Sequence, residues 1–317
     1  MKPTRTIVYL ASEYPAVSHT FIFREVCALR KQGYSIATVS VRRPDRLDVM
    51  TQEEQDEAQN TYYLKAQGVT GTLKAHVGLL IRSPRRYVTM FLAALRYRFK
   101  APIKTLTAIG YFAEAGILVA WMIQKGYRHA HVHFANPAAT VALFAAHSGW
   151  VTYSLSVHGP DVFYNVDKNL LPDKFSHARF VRCISHYCLS QVWRLLPIDD
   201  WRKCAIVRCG VDLARFSPRR PDTVNPNEIL CVGRLTPAKG QAVLLKACRR
   251  LMEDGMDIRV VLVGDGPDRA ALATYAEKSG IADHVMFAGA VGQHEIQKYY
   301  ERAAVFVLPS FAEGLPV

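Results

Sequence analysis

The chain has no CxxC pair, no tandem repeat of short period and no low-complexity tract. Its seven cysteines are an odd number, and Cys183/Cys188 and Cys204/Cys209 each have four residues between them. That spacing suits neither a zinc finger nor a redox motif, so the thiols read as core residues in a reducing compartment. The first apolar run, residues 6–11, is shorter than a signal-peptide core of roughly 7–15 residues, and Glu13 follows at once. No run reads as the roughly 20 apolar residues of a membrane span; the best, residues 115–124, follows Glu114 and is about half that length. These absences lead to the expectation of a cytoplasmic protein. With half of its 317 residues hydrophobic and 21% charged, it is an ordinary globular chain long enough for two domains.

Acidic residues are missing altogether between Glu57 and Glu114. Lys65, Lys74, Arg82, Arg85, Arg86, Arg96, Arg98, Lys100 and Lys104 fall in that gap and supply +9 of the net +13. Apolar residues are interleaved with them, and two readings stand. One is a basic, amphipathic surface for an anionic membrane, at the inner face of which the protein would sit peripherally. The other is a helical hairpin whose cations face solvent. No RNP, KH or helix-turn-helix signature accompanies the charge, so nucleic acid is not an expected partner.

Short β-rich runs alternate with helix-length segments, which predicts an α/β protein. In residues 1–216, strands are expected at TIVYLA, YSIATVSV, HAHVHF, TYSLSV, ARFVRCIS and KCAIVRCG. Helices are expected over residues 20–31, closed by Gly33, and 137–147. Residues 217–228 hold three prolines and read as a linker. The remainder, 229–317, runs β-α-β-α-β-α-β, from EILCVGRL to AVFVLPS, as a second doubly wound block.

In open sheets of this kind, ligands sit at the carboxyl ends of the strands. The second block marks four such ends: Gly233-Arg234 to Lys239-Gly240, Gly264-Asp265-Gly266-Pro267, Gly289, and Ser310 to Glu313-Gly314. Arg234 and Lys239 are two cations five apart on one loop, and the helix behind them offers N-terminal amides, so together they can grip a diphosphate. Glycines at 264, 266 and 289 allow backbone to approach a ligand. One GxG or one loop cation would mean little, but the set at successive strand ends is hard to explain as turns.

VGRLTPAKG, LVGDGPDRAAL, FAGAV and VLPSFAEGLPV resemble the donor-domain signatures of family-4 retaining GT-B glycosyltransferases. SEYPAVSHTFIFREV, HAHVHFANPAAT and SLSVHGPDVF are similar to the acceptor domain of its exopolysaccharide and colanic-acid type members. The resemblance implies two Rossmann-like domains facing a cleft. It implies transfer of a hexose-type sugar, with retention, from a nucleotide-sugar donor to a saccharide acceptor, which the basic segment 65–104 suggests is lipid-linked. No metal or other cofactor is implied. Arg234 and Lys239 would hold the donor diphosphate. Gly233, Gly264, Gly266, Gly289 and Gly314 would lie near the nucleotide, and Glu313 would contact the sugar. His158, in the pattern His158-Gly159-Pro160-Asp161, matches the family's active-site histidine; at the end of TYSLSV it could bond a sugar hydroxyl or respond to developing charge.

The chain departs from the family in having Ser12-Glu13-Tyr14-Pro15 where many members carry a glycine-rich loop. Ser18, His19 and Thr20 are read as a replacement, with Ser18 capping the following helix. His131 and His133 share one face of a strand, but no third ligand of suitable spacing is visible, and there is no Asp-x-Asp. Metal is not expected. The second glutamate of the family's E-x7-E motif would fall beyond Val317, so the second domain is read as truncated and the piece as open to being inactive. A non-catalytic nucleotide-sugar binder is the rival of a different class. An epimerase of the same architecture lacks its signatures here, and a nicotinamide oxidoreductase lacks GxGxxG.

Overall fold

A computed structural model describes residues 6–101, 104–159, 161–211 and 221–315. They form two compact units. The first holds residues up to Leu47, Gln52–Gly210 and those from Gly314; the second holds Asp48–Thr51 and Val211–Glu313.

The first unit begins β1 (Ile7–Glu13), α1 (Thr20–Lys31), β2 (Ile36–Arg42), α2 (Gln52–Asn60) and β3 (Tyr62–Tyr63). Three helices follow: α3 (Gly68–Arg82), α4 (Pro84–Lys100) and α5 (Thr105–Lys125). It continues β4 (His129–His133), α6 (Pro137–His147), β5 (Thr152–Val157), α7 (Leu171–His177), β6 (Val181–Cys183), α8 (His186–Arg194) and β7 (Cys204–Ile206). The strands make one parallel sheet in the order β3-β2-β1-β4-β5-β6-β7. Side chains alternate across it. Val8, Leu10, Val132, Leu155 and Val181 face the large core under α5 and α6, while Tyr9 and Ala11 face Ile22, Phe23 and Val26 of α1.

Local chemistry sets the helix ends. Asn136 accepts from the Ala138 amide at 3.2 Å, and Pro137 at the first helical position needs no donor, so α6 starts there. Ser185 caps α8 through the Cys188 amide. The N-cap position of α1 is His19, which makes no side-chain cap bond; the cap expected of Ser18 rests on a side chain outside what is described. A β-region residue with a short oxygen side chain is what capping demands, and His19 supplies neither.

The basic segment folds as α3 and α4, joined at Ser83. Leu79, Met90, Ala93, Ala94 and Tyr97 are buried, whereas Val69, Leu73, Ile81, Phe99 and Leu106 are well exposed. α5 is longer than its sequence suggested. At 21 residues it is long and apolar enough to cross a membrane by length and composition, although 44% of its most apolar window is buried inside the protein. Glu114 interrupts the apolar run in sequence but is itself buried, so the helix passes through it. At Gly116 a Cβ would come within 2.2 Å of the His76 ring, so the close approach of α3 to α5 needs glycine there.

The second unit comprises β8 (Asn225–Val232), α9 (Gln241–Glu253), β9 (Arg259–Val263), α10 (Arg269–Lys278), β10 (Val285–Gly289), α11 (Gln293–Arg302) and β11 (Ala303–Phe306). Its parallel sheet has the order β10-β9-β8-β11. Cys231, Val260 and Leu262 point to the core under α9 and α10, and Leu230, Val261 and Val263 to the side of α11. Of the residues read as a linker, 217–220 lie outside those described. Residues 221–223 form a short 3-10 turn, and 225–228 open β8, where Asn225 pairs with Ala303 of β11. Glu228, almost fully buried, receives a 2.9 Å hydrogen bond from Arg302.

Phe144 is fully buried in α6 and stacked on Tyr97 with ring centroids 5.9 Å apart. Phe144→Ala is expected to cost about 3–5 kcal/mol. Urea denaturation followed by circular dichroism would show it as a lower midpoint, and an unchanged midpoint would refute the packing described here.

Candidate functional site

Each sheet reverses its strand order once, between β1 and β4 in the first unit and between β8 and β11 in the second. At such a reversal the two loops leaving the carboxyl ends diverge to opposite faces and leave an opening, which is where ligands of doubly wound sheets bind.

In the second unit those loops are residues 233–240, after β8, and 307–313, after β11. Lys239 ends a short 3-10 turn on the first, and its ammonium pairs with Glu313 on the second. Glu313 Oε1 also accepts from Ser310 Oγ at 2.7 Å. A cation and an anion thus meet across the reversal, each about three-quarters buried. Arg234 is exposed on the same loop, and among the described residues no ion pair or side-chain hydrogen bond engages its guanidinium. Gln241 Nε2 donates to the Arg234 carbonyl at 3.1 Å and ties the loop to α9. The first turn of α9 carries no acidic residue, so its amides offer an unopposed positive end to an anion.

The glycines play two parts. A Cβ at Gly264 would stand 2.0 Å from the Gly233 carbonyl oxygen, and one at Gly266 would stand 2.2 Å from that of Leu235. These two positions are small because the loop after β9 lies against the loop after β8, a reason the sequence did not disclose. Gly289 carries no such crowding; its carbonyl accepts from the Gly264 amide at 2.8 Å. Gly314 groups by its contacts with the first unit.

In the first unit the reversal is pinned by Ser12, whose Oγ donates to Asn136 Oδ1 at 3.0 Å. Next to it lies a column of imidazoles. His131 on β4 bonds Ser154 Oγ at 2.7 Å and Ser156 Oγ at 2.8 Å, both on β5. His133 Nδ1 meets His158 Nε2 at 3.1 Å, and His158 Nδ1 lies 3.7 Å from Cys209 Sγ. Phe21 and Phe134 pack on the His158 ring, each with its centroid 4.8 Å away. Burial pushes His131 and His158 down to about 3 and His133 well below its ordinary value; nearby Arg182 adds to the effect on all three. These imidazoles are therefore neutral at pH 7. Held neutral, His158 can exchange a hydrogen bond through either ring nitrogen.

His133 Nε2 has no partner among the described residues. A buried N–H left alone costs more than a buried lone pair. His133 therefore holds its proton on Nδ1 and donates to His158 Nε2, which leaves the His158 proton on Nδ1, toward Cys209.

A third acidic ligand, invisible in local spacing, does reach the histidines. Glu25 of α1 places a carboxylate oxygen within 4.8 Å of ring nitrogens of His131 and His133. Glu25 is already committed, accepting from Tyr9 Oη at 2.8 Å and pairing with Arg182. Arg182 is 5% exposed and also donates to the Val207 and Arg208 carbonyls. A cation here would have to displace a buried guanidinium and break the His131–serine bonds, so this donor set suits a hydrogen-bond network better than a metal. Sequence reasoning missed Glu25, Arg182, Ser154, Ser156 and Cys209. Its one available signal was the shared period of two in HAHVH and SLSVH, which places histidines and serines on one face.

Residues 215–317 match the family model described as Glycosyl transferases group 1. Over 96% of its length the chain is 26% identical to the protein named as colanic acid biosynthesis glycosyltransferase WcaL in Escherichia coli strain K12, of which it covers 77%. A stretch of 122 residues is 34% identical to amylovoran biosynthesis glycosyltransferase AmsK of Erwinia amylovora, over 36% of this chain and 30% of that protein. Among solved structures, sucrose-phosphate synthase from Thermosynechococcus elongatus aligns with a TM-score of 0.70 at 16% identity, over 99% of this chain and 77% of that one. Anabaena HepE, solved in complex with UDP, aligns at 0.62 with 12% identity, over 96% and 74%. The fold is the α/β, GT-B-like fold of glycosyltransferases.

Two outcomes are expected. Unfolded histidines take up protons below about pH 6.5, whereas folded His131 and His158 do so only near 3. The unfolded state therefore binds more protons through that window, and stability falls as pH drops from 7 to 5. Urea midpoints measured across that range test this; a flat profile would contradict the neutral column. Gly264→Ala is expected to cost roughly 1–3 kcal/mol because φ there is +140° and the neighbouring carbonyl is in the way. Calorimetry without any ligand would register the loss, and an unchanged melt would return Gly264 to a purely ligand-facing role.

Proposed function

We propose that the chain is a glycosyltransferase that moves a sugar from a nucleoside-diphosphate sugar to a hydroxyl of a saccharide acceptor, with retention, in surface or exopolysaccharide biosynthesis. The observation that carries this reading is Arg234 and Lys239 beside the N-terminus of α9, at the strand-order reversal of a unit matching the group 1 model. The relatives named for colanic acid and amylovoran biosynthesis support the polysaccharide context.

In the reaction the bond between the anomeric carbon and the diphosphate oxygen breaks, and its electron pair leaves with the diphosphate. The acceptor oxygen bonds the same carbon, and its proton passes to the departing diphosphate. Arg234 and Lys239 neutralise that leaving group by position and charge. Glu313 meets the donor sugar, with Gly233, Gly264, Gly266, Gly289 and Gly314 around the nucleotide. His158 bonds a sugar hydroxyl. No metal takes part, because two side-chain cations and a helix N-terminus already supply positive charge. The acceptor is a lipid-linked saccharide, and the basic segment 65–104 faces the anionic inner surface of the membrane.

Arg234→Ala and Lys239→Ala are each expected to raise the barrier by about 2–4 kcal/mol, with the circular dichroism spectrum unchanged. Release of nucleoside diphosphate from a panel of nucleotide sugars, with and without acceptor, measures it. Wild-type rates in both variants would remove the proposed diphosphate site. Donor binding without release would make the protein a nucleotide-sugar binder instead.

A further inference from the structure

A cavity of about 560 Å³ opens between α3 and α5, a volume within the range that receives one small apolar body. Val69, Leu73, Ile109, Phe112 and Ile117 line it. Val69 and Leu73 stand 86% and 64% exposed at its rim, so the apolar surface continues outward rather than closing over. His76, on the α3 side, has both ring nitrogens occupied, by Tyr87 Oη at 3.0 Å and the Ala113 carbonyl at 3.2 Å. Glu114 is different. It is 8% exposed and lines the cavity, and its Oε2 is buried without a partner among the described residues; its other oxygen lies 3.8 Å from the Lys65 ammonium at the edge. An apolar groove ending in an unused carboxyl oxygen and a lysine has the polarity of a lipid, with a chain on one side and a polar backbone on the other. The surroundings select the charge of that lipid. From residue 58 to residue 113 the chain has nine cations and no acid, and Lys74 and Arg82 are exposed on α3 and Arg85 at the start of α4.

We propose that this groove takes up one acyl chain of an anionic phospholipid, with Lys65 at its phosphate and the Glu114 carboxyl at its ester region, so that the first unit is seated on the bilayer through α3 and α5. The proposal rests on the reading of segment 65–104 as membrane-facing and adds the point at which a lipid chain enters the protein. Charge attracts the surface to the membrane, and the groove gives the contact its register.

Gly110 provides the test. It lines the groove inside α5, and a Cβ there meets nothing within 4 Å, so Gly110→Leu obstructs the groove without strain at Cβ and with a better helix former. The wild-type chain, Gly110→Leu and Arg82→Glu/Arg85→Glu are compared by flotation with vesicles of phosphatidylcholine, alone or with phosphatidylglycerol carrying a photoactivatable group on its acyl chain. The wild type is expected to float only with the anionic vesicles, and its cross-links to fall in residues 68–76 and 109–117. Gly110→Leu should lose those cross-links and bind about tenfold more weakly, with an unchanged melting temperature. The charge variant should lose flotation itself. Absence of wild-type flotation on anionic vesicles would overturn the membrane-facing reading and the groove with it. Flotation with cross-links elsewhere, and with Gly110→Leu binding like wild type, would overturn the groove alone. A concentration-dependent dimer that Gly110→Leu dissolves would assign the groove to a second copy of the chain and also overturn it.

Discussion

A parallel sheet forces every loop that follows a strand to the same edge, and a single reversal of strand order decides where on that edge two loops part. Both units of this chain are governed by that constraint. Between β8 and β11 it brings Lys239 and Glu313 together from positions far apart in sequence. Between β1 and β4 it brings Ser12 to Asn136. The helices that follow, α9 and α6, begin at these points, so their N-terminal amides are aimed by the topology before any side chain is chosen. Cations on the loop before α9 then stand beside a positive helix end, placed there by the winding.

The first sheet spends one of its faces differently from the second. In the second unit both faces are apolar and carry helices. In the first, the face toward α1 holds His129, His131, His133, Ser154 and Ser156, with Tyr9 and Arg182 on the flanking strands. A polar interior of this kind is tolerated only where hydrogen bonds are complete. They nearly are. His129 bonds Thr152 and Ser154, His131 bonds two serines, and each Arg182 nitrogen donates, to Glu25 or to one of two carbonyls. Lys174 is buried as well, donating to the Ala135 and Asn136 carbonyls, and burial lowers it to about 7. It clamps the loop that leaves β4. On this face, among the described residues, His133 Nε2 is left without a partner, at the last residue of β4 and beside His158.

Much of this was legible because local signals were strong. Helices 20–31 and 137–147 are found with the expected bounds, the second fixed by Asn136 and Pro137, and the strand TYSLSV is found whole. What escaped depended on partners distant in sequence. Residues 225–228 fell within the linker reading because 217–228 holds three prolines, yet they open β8, where Asn225 pairs with Ala303. Glu25 approaches His131 only because α1 packs back over the sheet. Gly264 and Gly266 were read as places where backbone could approach a ligand, and the structure adds a second reason for glycine there, the backbone of the adjacent loop. Glu114 looked like the end of an apolar stretch, and burial raising it to about 7 makes it part of one.

The Lys239–Glu313 pair has a consequence for selectivity among anions. An ammonium that already has a carboxylate neighbour exerts little pull on a passing inorganic phosphate, since a monoanion or dianion that displaces Glu313 must leave that carboxylate stranded near it. Only a visitor that also offers hydroxyl donors to the freed carboxylate makes the exchange favourable. Under the proposed function, a ligand bearing both a diphosphate and a sugar would satisfy the two halves at once, and the internal salt bridge would act as a filter against partial mimics of such a donor.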